Sequence, residues 1–299
     1  MFVIKHKNIF LGLSLLFVVI SLVSIFTFGL TPGIDFVGGT LVEVSYTETL
    51  PDEATLASRL NELNLGAFSI RETGTDGVIL RIPESAQFEK TALLNALSLD
   101  GQHSLIEERS TTIGPTIGKE LQEKSYWAIG AILLIIILFV AFAFRKVSEP
   151  VSSWHYGLIA IITLAHDVIV PIGVFALLGH LYGAELDALF VTALLAILGY
   201  SVNDTIVVFD RVRENLLEND TTHTREDFEE TIGKSLSQTF MRSLNTSITT
   251  VLVLLALVIL GGSTIHNFVI TLTAGIIAGT YSSLFFASPL LIFFAKKKK

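Results

Sequence analysis

The chain of 299 residues contains no cysteine. Neither a disulfide framework nor a thiolate metal site can therefore exist, and that absence leaves the redox compartment open. Charge is scarce too: only 16% of residues are Asp, Glu, Lys or Arg, well under the roughly 25% of a soluble domain. The formal charge of −8 gives no electrostatic support to nucleic-acid binding. No glycine-rich loop leads into a helix with phosphate-loop spacing, which rejects nucleotide binding, and neither His166 nor His266 has metal-ligand spacing around it. No cofactor and no metal are expected. What the chain does have is hydrophobicity, with 51% apolar residues and a mean hydropathy of +0.65. That composition reads as a polytopic membrane protein.

Crossing the hydrocarbon layer takes about 20 consecutive apolar residues in a helix. Six runs qualify, at 8–28, 126–144, 154–178, 186–209, 247–260 and 265–294. The fifth spans only if the Ser/Thr/Asn stretch 244–250 enters the membrane. The first lacks a small-residue cleavage pattern and is read as a span, not a signal peptide. Lys and Arg near span ends mark the cytoplasmic side. Lys5 and Lys7, Arg145 and Lys146, Arg211 and Arg213, and the lysine run 296–299 agree in placing both termini in the cytoplasm. The terminal lysines read as an anchor beside lipid headgroups. The expected organisation is a first span with its short tail (1–29), an outward domain (30–124), and five further spans (125–299) with a cytoplasmic loop at 210–241. Within that loop, 213–239 reads as a charged amphipathic helix with Phe228, Ile232 and Leu236 on one face.

In the outward domain acids outnumber bases about two to one, a balance common in solvated domains. Residues 40–47 alternate and are β-branched, 51–64 form a helix with Leu56, Leu60 and Leu63 on one face, and Gly66 stops it. Strands at 67–72 and 78–82 flank the turn residues 74–77. A second helix at 86–98 and a last strand at 103–110 complete a β-α-β-β-α-β order, which suggests a ferredoxin-like α+β unit. His103 has no His or Cys partner and reads as an exposed strand residue. Nothing in the domain looks catalytic, and a binding module or moving part is the simplest expectation.

The segment Gly33-Ile34-Asp35-Phe36-Val37-Gly38-Gly39-Thr40 joins the first span to this domain, and its Gly33, Gly38 and Gly39 fit a hinge. Deeper in the membrane, three ionisable residues stand out because a charge at the bilayer centre costs at least about 2.5 kcal/mol and usually marks ion or proton movement. Asp204 lies toward the cytoplasmic end of the fourth span and shares a helical face with Ile197, Ser201 and Val208; Asn203 is its neighbour. Asp167 is near the middle of the third span, four residues before Pro171, which removes the donor for its carbonyl. Arg242, Asn245, Thr246 and Thr249 make a polar face on the fifth span. Snorkelling of Arg242 at a helix start is the competing reading of that residue. The small-residue stripe 274–279 lets the sixth span approach another helix closely. Desolvation disfavours a charged Asp204, whereas a nearby guanidinium favours it, so a small change in helix distance would load or release a proton.

These residues carry a family resemblance. Gly33 to Thr40, the run Gly199-Tyr200-Ser201-Val202-Asn203-Asp204-Thr205-Ile206-Val207-Val208-Phe209-Asp210-Arg211, the stretch Arg242-Ser243-Leu244-Asn245-Thr246-Ser247, and Tyr281-Ser282-Ser283 ahead of Pro289 make the chain similar to the SecF family, subunits of the bacterial SecDF protein-export complex. The resemblance covers nearly the whole chain. It implies a non-enzymatic subunit of the RND-type superfamily in the bacterial inner membrane. Such a subunit pairs with SecD, associates with the SecYEG channel and YajC, and uses the proton gradient to help draw preproteins outward. It also implies Asp204 as the proton-relay acid and Arg242 as its cationic partner, with Asp167 matching less specifically and sodium coupling as an alternative. An RND-type small-molecule exporter half would need a larger outer region. An intramembrane aspartyl protease using Asp167 and Asp204 would expect a Gly-x-Gly-Asp pattern that is absent. A passive scaffold would tolerate loss of Asp204.

Overall fold

The computed structural model describes all residues except 1, 67, 85, 144–150, 152, 225 and 296–299. The cation clusters at 145–146 and 296–299, and the first residue of the strand expected at 67–72, lie outside the described residues. The chain divides into two compact units: Met1–Leu30, Ala128–Ala184 and Leu189–Lys299 form one, Thr31–Trp127 and Glu185–Ala188 the other.

The chain opens with a short helix α1 (Phe2–Lys5) and the apolar α2 (Lys7–Phe28), which stops at Gly29 in the left-handed region, its N–H bonded to the Ile25 carbonyl. A single helical turn α3 (Ile34–Val37) then sits between Gly33 and Gly38, and β1 (Gly39–Tyr46) follows. Gly39 has φ +131°, and a Cβ there would stand 2.7 Å from the Ile82 carbonyl oxygen. Gly33 likewise lets the backbone approach Leu186. The glycines of this joint are thus occupied by close backbone packing.

Helix α4 (Glu53–Asn61) buries Leu56 and Leu60; strands β2 (Ser69–Thr73) and β3 (Gly77–Ile82) form a hairpin; helix α5 (Lys90–Leu97) buries Leu93 and Leu97; β4 (Leu105–Ile113) ends the sheet. The strands run in the order β2-β3-β1-β4, with every pairing antiparallel. Alternation does the rest: Val42, Val44, Tyr46, Val78, Leu80 and Ile82 point to one face and pack on the leucines of α4 and α5. Each such buried side chain contributes about 1.5–3 kcal/mol. Burial pushes the Tyr46 hydroxyl up to about 12, and it donates to the Leu97 carbonyl at 2.9 Å. The elements sit within a few residues of their expected positions. His103 falls in the turn before β4 instead of on a strand, its Nδ1 3.2 Å from the Thr49 carbonyl.

Residues 185–188 belong to this same unit. Leu186 exchanges backbone bonds with Thr31 and Gly33, both 2.8 Å, and the Asp35 carboxylate accepts the Ala188 N–H at 2.8 Å. Arg81 Nη1 meets Glu185 Oε1 at 2.5 Å with both side chains largely buried. Desolvation pushes the Glu185 carboxyl up against the pull of Arg81, and pushes the Arg81 guanidinium down. Both partners move toward neutrality, so burial outweighs their attraction and the pair supplies geometry more than stability.

The remaining helices are α6 (Pro115–Ala143), α7 (Ser153–Tyr182), α8 (Ala188–Thr221), α9 (Phe228–Leu260) and α10 (Ser263–Ser282). A π-helical turn (Ser283–Ala287) leads from α10 into α11 (Ser288–Phe294). Among the described residues, six helical segments are long and apolar enough to cross a membrane. Two boundaries differ from expectation. Residues 213–239 do not form one amphipathic helix: α8 continues to Thr221, His223 turns the chain with φ 53°, and α9 restarts behind Asp227 in extended geometry. The fifth span is not confined to 247–260 either, because α9 runs unbroken through the Ser/Thr/Asn stretch. Small residues set the close helix contacts: Gly173 packs on Ser21 of α2, and Gly275 and Gly279 pack on Ile197 and Ser201 of α8.

Replacing Gly39 by Ala should destabilise the chain by about 1–3 kcal/mol, whereas Gly101→Ala, at φ +84° with open space around it, should cost less; chemical denaturation of the full chain in detergent compares the two. Glu185→Ala, which strands a buried guanidinium, should lose about 3–5 kcal/mol, while the Arg81→Met, Glu185→Met pair should be neutral or stabilising. Because the Glu185 carboxyl is raised in the fold, its pH-dependent contribution is complete below the ordinary carboxylate range and lost as pH rises through the raised value. Melting curves taken across that range should lose this slope in the double variant.

Candidate functional site

Polar side chains inside apolar helices must find partners within the protein, since hydrocarbon offers none. In the membrane unit they gather where α7, α8, α9 and α10 carry serines, threonines and two carboxylates. On α8, Ile197, Ser201, Asp204 and Val208 are all buried, as a single face one turn apart requires, and Asn203 is exposed.

Asp167 of α7 is fully buried, and both its oxygens are answered. Ser201 donates to Oδ2, Ser282 Oγ lies 2.7 Å from the same atom, and His166 Nδ1 is 2.8 Å from Oδ1. Ser282 Oγ is also 3.0 Å from the Gly279 carbonyl; the carboxylate is the closer acceptor. Among the described residues, no Lys or Arg takes part in these contacts. The approach of α10 that brings Ser282 in is helped by Gly275, where a Cβ would overlap Ile197, and by Gly279, where one would stand tight against Ser201 at 3.0 Å. The π-helical turn that begins at Ser283 adds a residue to the helical repeat there, and Ser283 Oγ reaches Thr205 at 2.8 Å.

Asp204 is 5% exposed, and its Oδ2 has no hydrogen-bond partner among the described residues. Ser243 of α9 lies beside it and Arg242 acts on it by charge, yet the Ser243 hydroxyl is itself buried and unbonded, and no ion pair joins Asp204 to Arg242 among the described residues. The geometry thus leaves a carboxylate inside the helices with its partners close but not engaged. One turn on, Ser247 connects α9 to α10 and α8, with Thr280 Oγ1 at 2.6 Å and the Tyr200 hydroxyl at 3.2 Å.

The expected site residues therefore separate. Ser201, Asp204 and Asp167 come together in the buried core. Arg242, Asn245 and Thr246, with Asn203, are exposed on this chain. The threonines of that outer face satisfy themselves on carbonyls one turn back, Thr246 on Arg242 and Thr249 on Asn245. Gly33, Gly38 and Gly39 lie in the other unit. Sequence reading passed over Ser243, Ser247, Thr205, Ser282, Ser283 and His166 as members of the site. Ser243 and Ser247, four apart on the face opposite Arg242, were the available signal.

Comparison with known proteins adds the following. Residues 95–297 match the family described as Protein export membrane protein SecD/SecF, C-terminal, and residues 23–49 match the SecD/SecF GG Motif. A Protein translocase subunit SecF of Thermobaculum terrenum is 41% identical, with 99% of this chain and 94% of that protein covered. One from Haemophilus influenzae is 38% identical over 92% of this chain and 80% of its own length. Among solved structures, SecDF of Thermus thermophilus, titled a translocon-associated membrane protein, superposes with a TM-score of 0.81 at 30% identity, covering 97% of this chain. SecDF in a super-membrane-facing form gives a TM-score of 0.67. The chain spans 38% of the length of the solved SecDF chains.

Asp167→Ala should remove the buried acceptor of Ser201 and His166, leaving Ser282 the Gly279 carbonyl, and destabilise the protein by about 1–3 kcal/mol. Asp167→Asn, which keeps an acceptor oxygen, should lose less. Thermal unfolding in detergent ranks the two, and equal losses would show that the hydrogen bonds are not what stabilises this site.

Proposed function

The chain belongs to the SecD/SecF family of protein export membrane proteins, and from that premise we propose that it acts as an accessory subunit of the Sec export machinery. Together with SecD it uses the proton motive force to promote preprotein translocation. The observation that carries the reading is the buried Asp204, with an unbonded carboxylate oxygen next to Ser243 and within the field of Arg242. A carboxylate whose partners are near but unengaged can gain or lose their hydrogen bonds through a small displacement. Asp204 is the relay acid, Arg242 its cationic partner and Asp167 a supporting acid. Ser201, Asn203, Asn245 and Thr246 are the polar support.

The exposed face of α9 supports SecD as the partner. Arg242 and Asn245 facing lipid would be costly, and a second set of helices covering them removes that cost. The solved SecDF chains, of which this one matches only part, have the length to provide such helices. Contacts with the SecYEG channel and YajC follow from the family alone. The β-α-β-β-α-β unit is read as a ferredoxin-like, extracytoplasmic domain between the first two spans, with Gly33, Gly38 and Gly39 as its joint and both termini in the cytoplasm. Movement of one elementary charge through 100 mV yields about 2.3 kcal/mol, enough to bias such a domain between two positions.

In vesicles carrying this chain with SecD and the channel, Asp204→Asn should remove the gradient-dependent part of preprotein translocation, a loss of at least about tenfold, and leave the gradient-independent part intact. An unchanged gradient dependence would refute the relay and leave the chain a scaffold. Replacing the proton gradient with a sodium gradient in the same vesicles tests which ion is coupled.

A further inference from the structure

Asp167 has a neighbour that the relay does not use. His166 is 3% exposed, its Nδ1 lies 2.8 Å from Asp167 Oδ1, and its Nε2 is buried with no hydrogen-bond partner among the described residues. With Ser201 and Ser282 also donating to this carboxylate, the consistent assignment of protons is an ionised Asp167 accepting Nδ1–H. The Nε2 lone pair is then left open. The converse arrangement, a protonated Asp167 and a buried Nε2–H, would orphan a donor, and buried orphan donors are rarer than orphan acceptors. The ring lies among aromatic faces, 6.4 Å from Tyr281 and 5.4 Å from Phe286, the latter on the π-helical turn.

Resting on the proton-driven reading above, we infer that His166 and Asp167 form a second proton-binding site, in which His166 Nε2 takes the proton and the π-helical turn responds. The step balances simply. The Nε2 lone pair forms a new N–H bond with an incoming proton, Nδ1–H stays on Asp167, and the pair changes from a net charge of −1 to zero. Release reverses it. Loading converts an open acceptor into a donor that must find an acceptor or forfeit its hydration. The polar groups on the elements packed around it are the Tyr281 hydroxyl on α10, which donates to the Phe10 carbonyl at 2.9 Å and retains its lone pairs, Ser201 on α8 with Asp204 one turn further, and Ser14 on α2, which faces Tyr281. No cation competes. The only charged residue of α2 is Lys7, which is tied to Glu229 at 2.5 Å, and α10 carries none. Ser282 and Ser283, which hold Asp167 and Thr205, flank the start of the π-helical turn, so a shift of Tyr281 or Phe286 is transmitted to the face of α8 that bears Asp204.

The test uses the complex of this chain with SecD in vesicles, with the chain's histidines labelled with nitrogen-15. The His166 resonances are identified by their loss in His166→Gln. On acidification within the folded range, the Nε2 signal should move from a neutral to an imidazolium position; a signal that stays neutral overturns the inference. In translocation, His166→Gln, which keeps an amide donor for Asp167 but cannot take the proton, should reduce the gradient-dependent part about tenfold and spare the rest. Full gradient dependence in that variant, with Asp204→Asn still inactive, sinks this site alone. Full gradient dependence in both variants sinks the proton-driven reading as well. The resonance measurement on the unmutated chain remains decisive if the variant does not fold.

Discussion

A carboxylate in the hydrocarbon layer costs at least about 2.5 kcal/mol unless the protein answers its charge and its lone pairs, and the two here are answered differently. Asp167 receives donors from three side chains on three helices. Such a site rigidifies what it joins, because separating α8 or α10 from α7 would break the Ser201 or Ser282 bond to the buried carboxylate. Asp204, a turn away from Ser201, lacks that closure. Much of the membrane unit follows from the first carboxylate: the glycines at 275 and 279, the paired serines at 282 and 283, and the π-helical turn all serve to bring α10 against α7 and α8 at that depth.

Helix α9 carries two polar faces, and they have different uses. Ser243 and Ser247 point inward, one toward Asp204 and one to Thr280. Arg242, Asn245, Thr246 and Thr249 point out. A helix with an arginine on its lipid-facing side is unfinished as a monomer. Under the proposed pairing with SecD, that face would be covered by a second set of helices, and Arg242 would stand where the partner's approach changes the field at Asp204.

Much of this was legible in the residues. Six apolar runs gave six helices, and the alternation in residues 40–47 and the leucine spacing of 51–64 gave a strand and helix of the sheet unit. Asp204 was found by rarity alone, one acid in an apolar run, and its face with Ile197, Ser201 and Val208 by helical periodicity. What the residues did not disclose was long-range. Nothing local says that Glu185 belongs with Arg81, 104 positions earlier, or that Ser282 meets Asp167. Periodicity places a residue on a face but is silent about which helix that face meets. The break after Thr221 was missed for a different reason: its Thr residues are tolerated in a solvated helix, and no Pro or Gly announced the turn that His223 makes.

The pattern of made and unmade bonds bears on where motion is possible. Near the turn at 222–227, α8 and α9 are fastened side chain to side chain: Asn219 to Thr231, Asn215 to Ser235 and Gln238, Arg211 to Gln238. Proceeding along the pair, the next polar meeting is Asp204 with Ser243, where the bond is not made. The α7, α8 and α10 contacts, by contrast, are closed by glycine packing and by Asp167, and close-packed interfaces of this kind resist continuous deformation. The two helices meet again beyond that gap, where Tyr200 reaches Ser247 at 3.2 Å and Thr280 reaches the same hydroxyl at 2.6 Å. The unmade contact is therefore a gap between made ones, and a local side-chain rearrangement closes it more readily than a swing of the whole helix. The incomplete carboxylate faces a hydroxyl that also lacks a partner, while the completed one ties α7, α8 and α10 together.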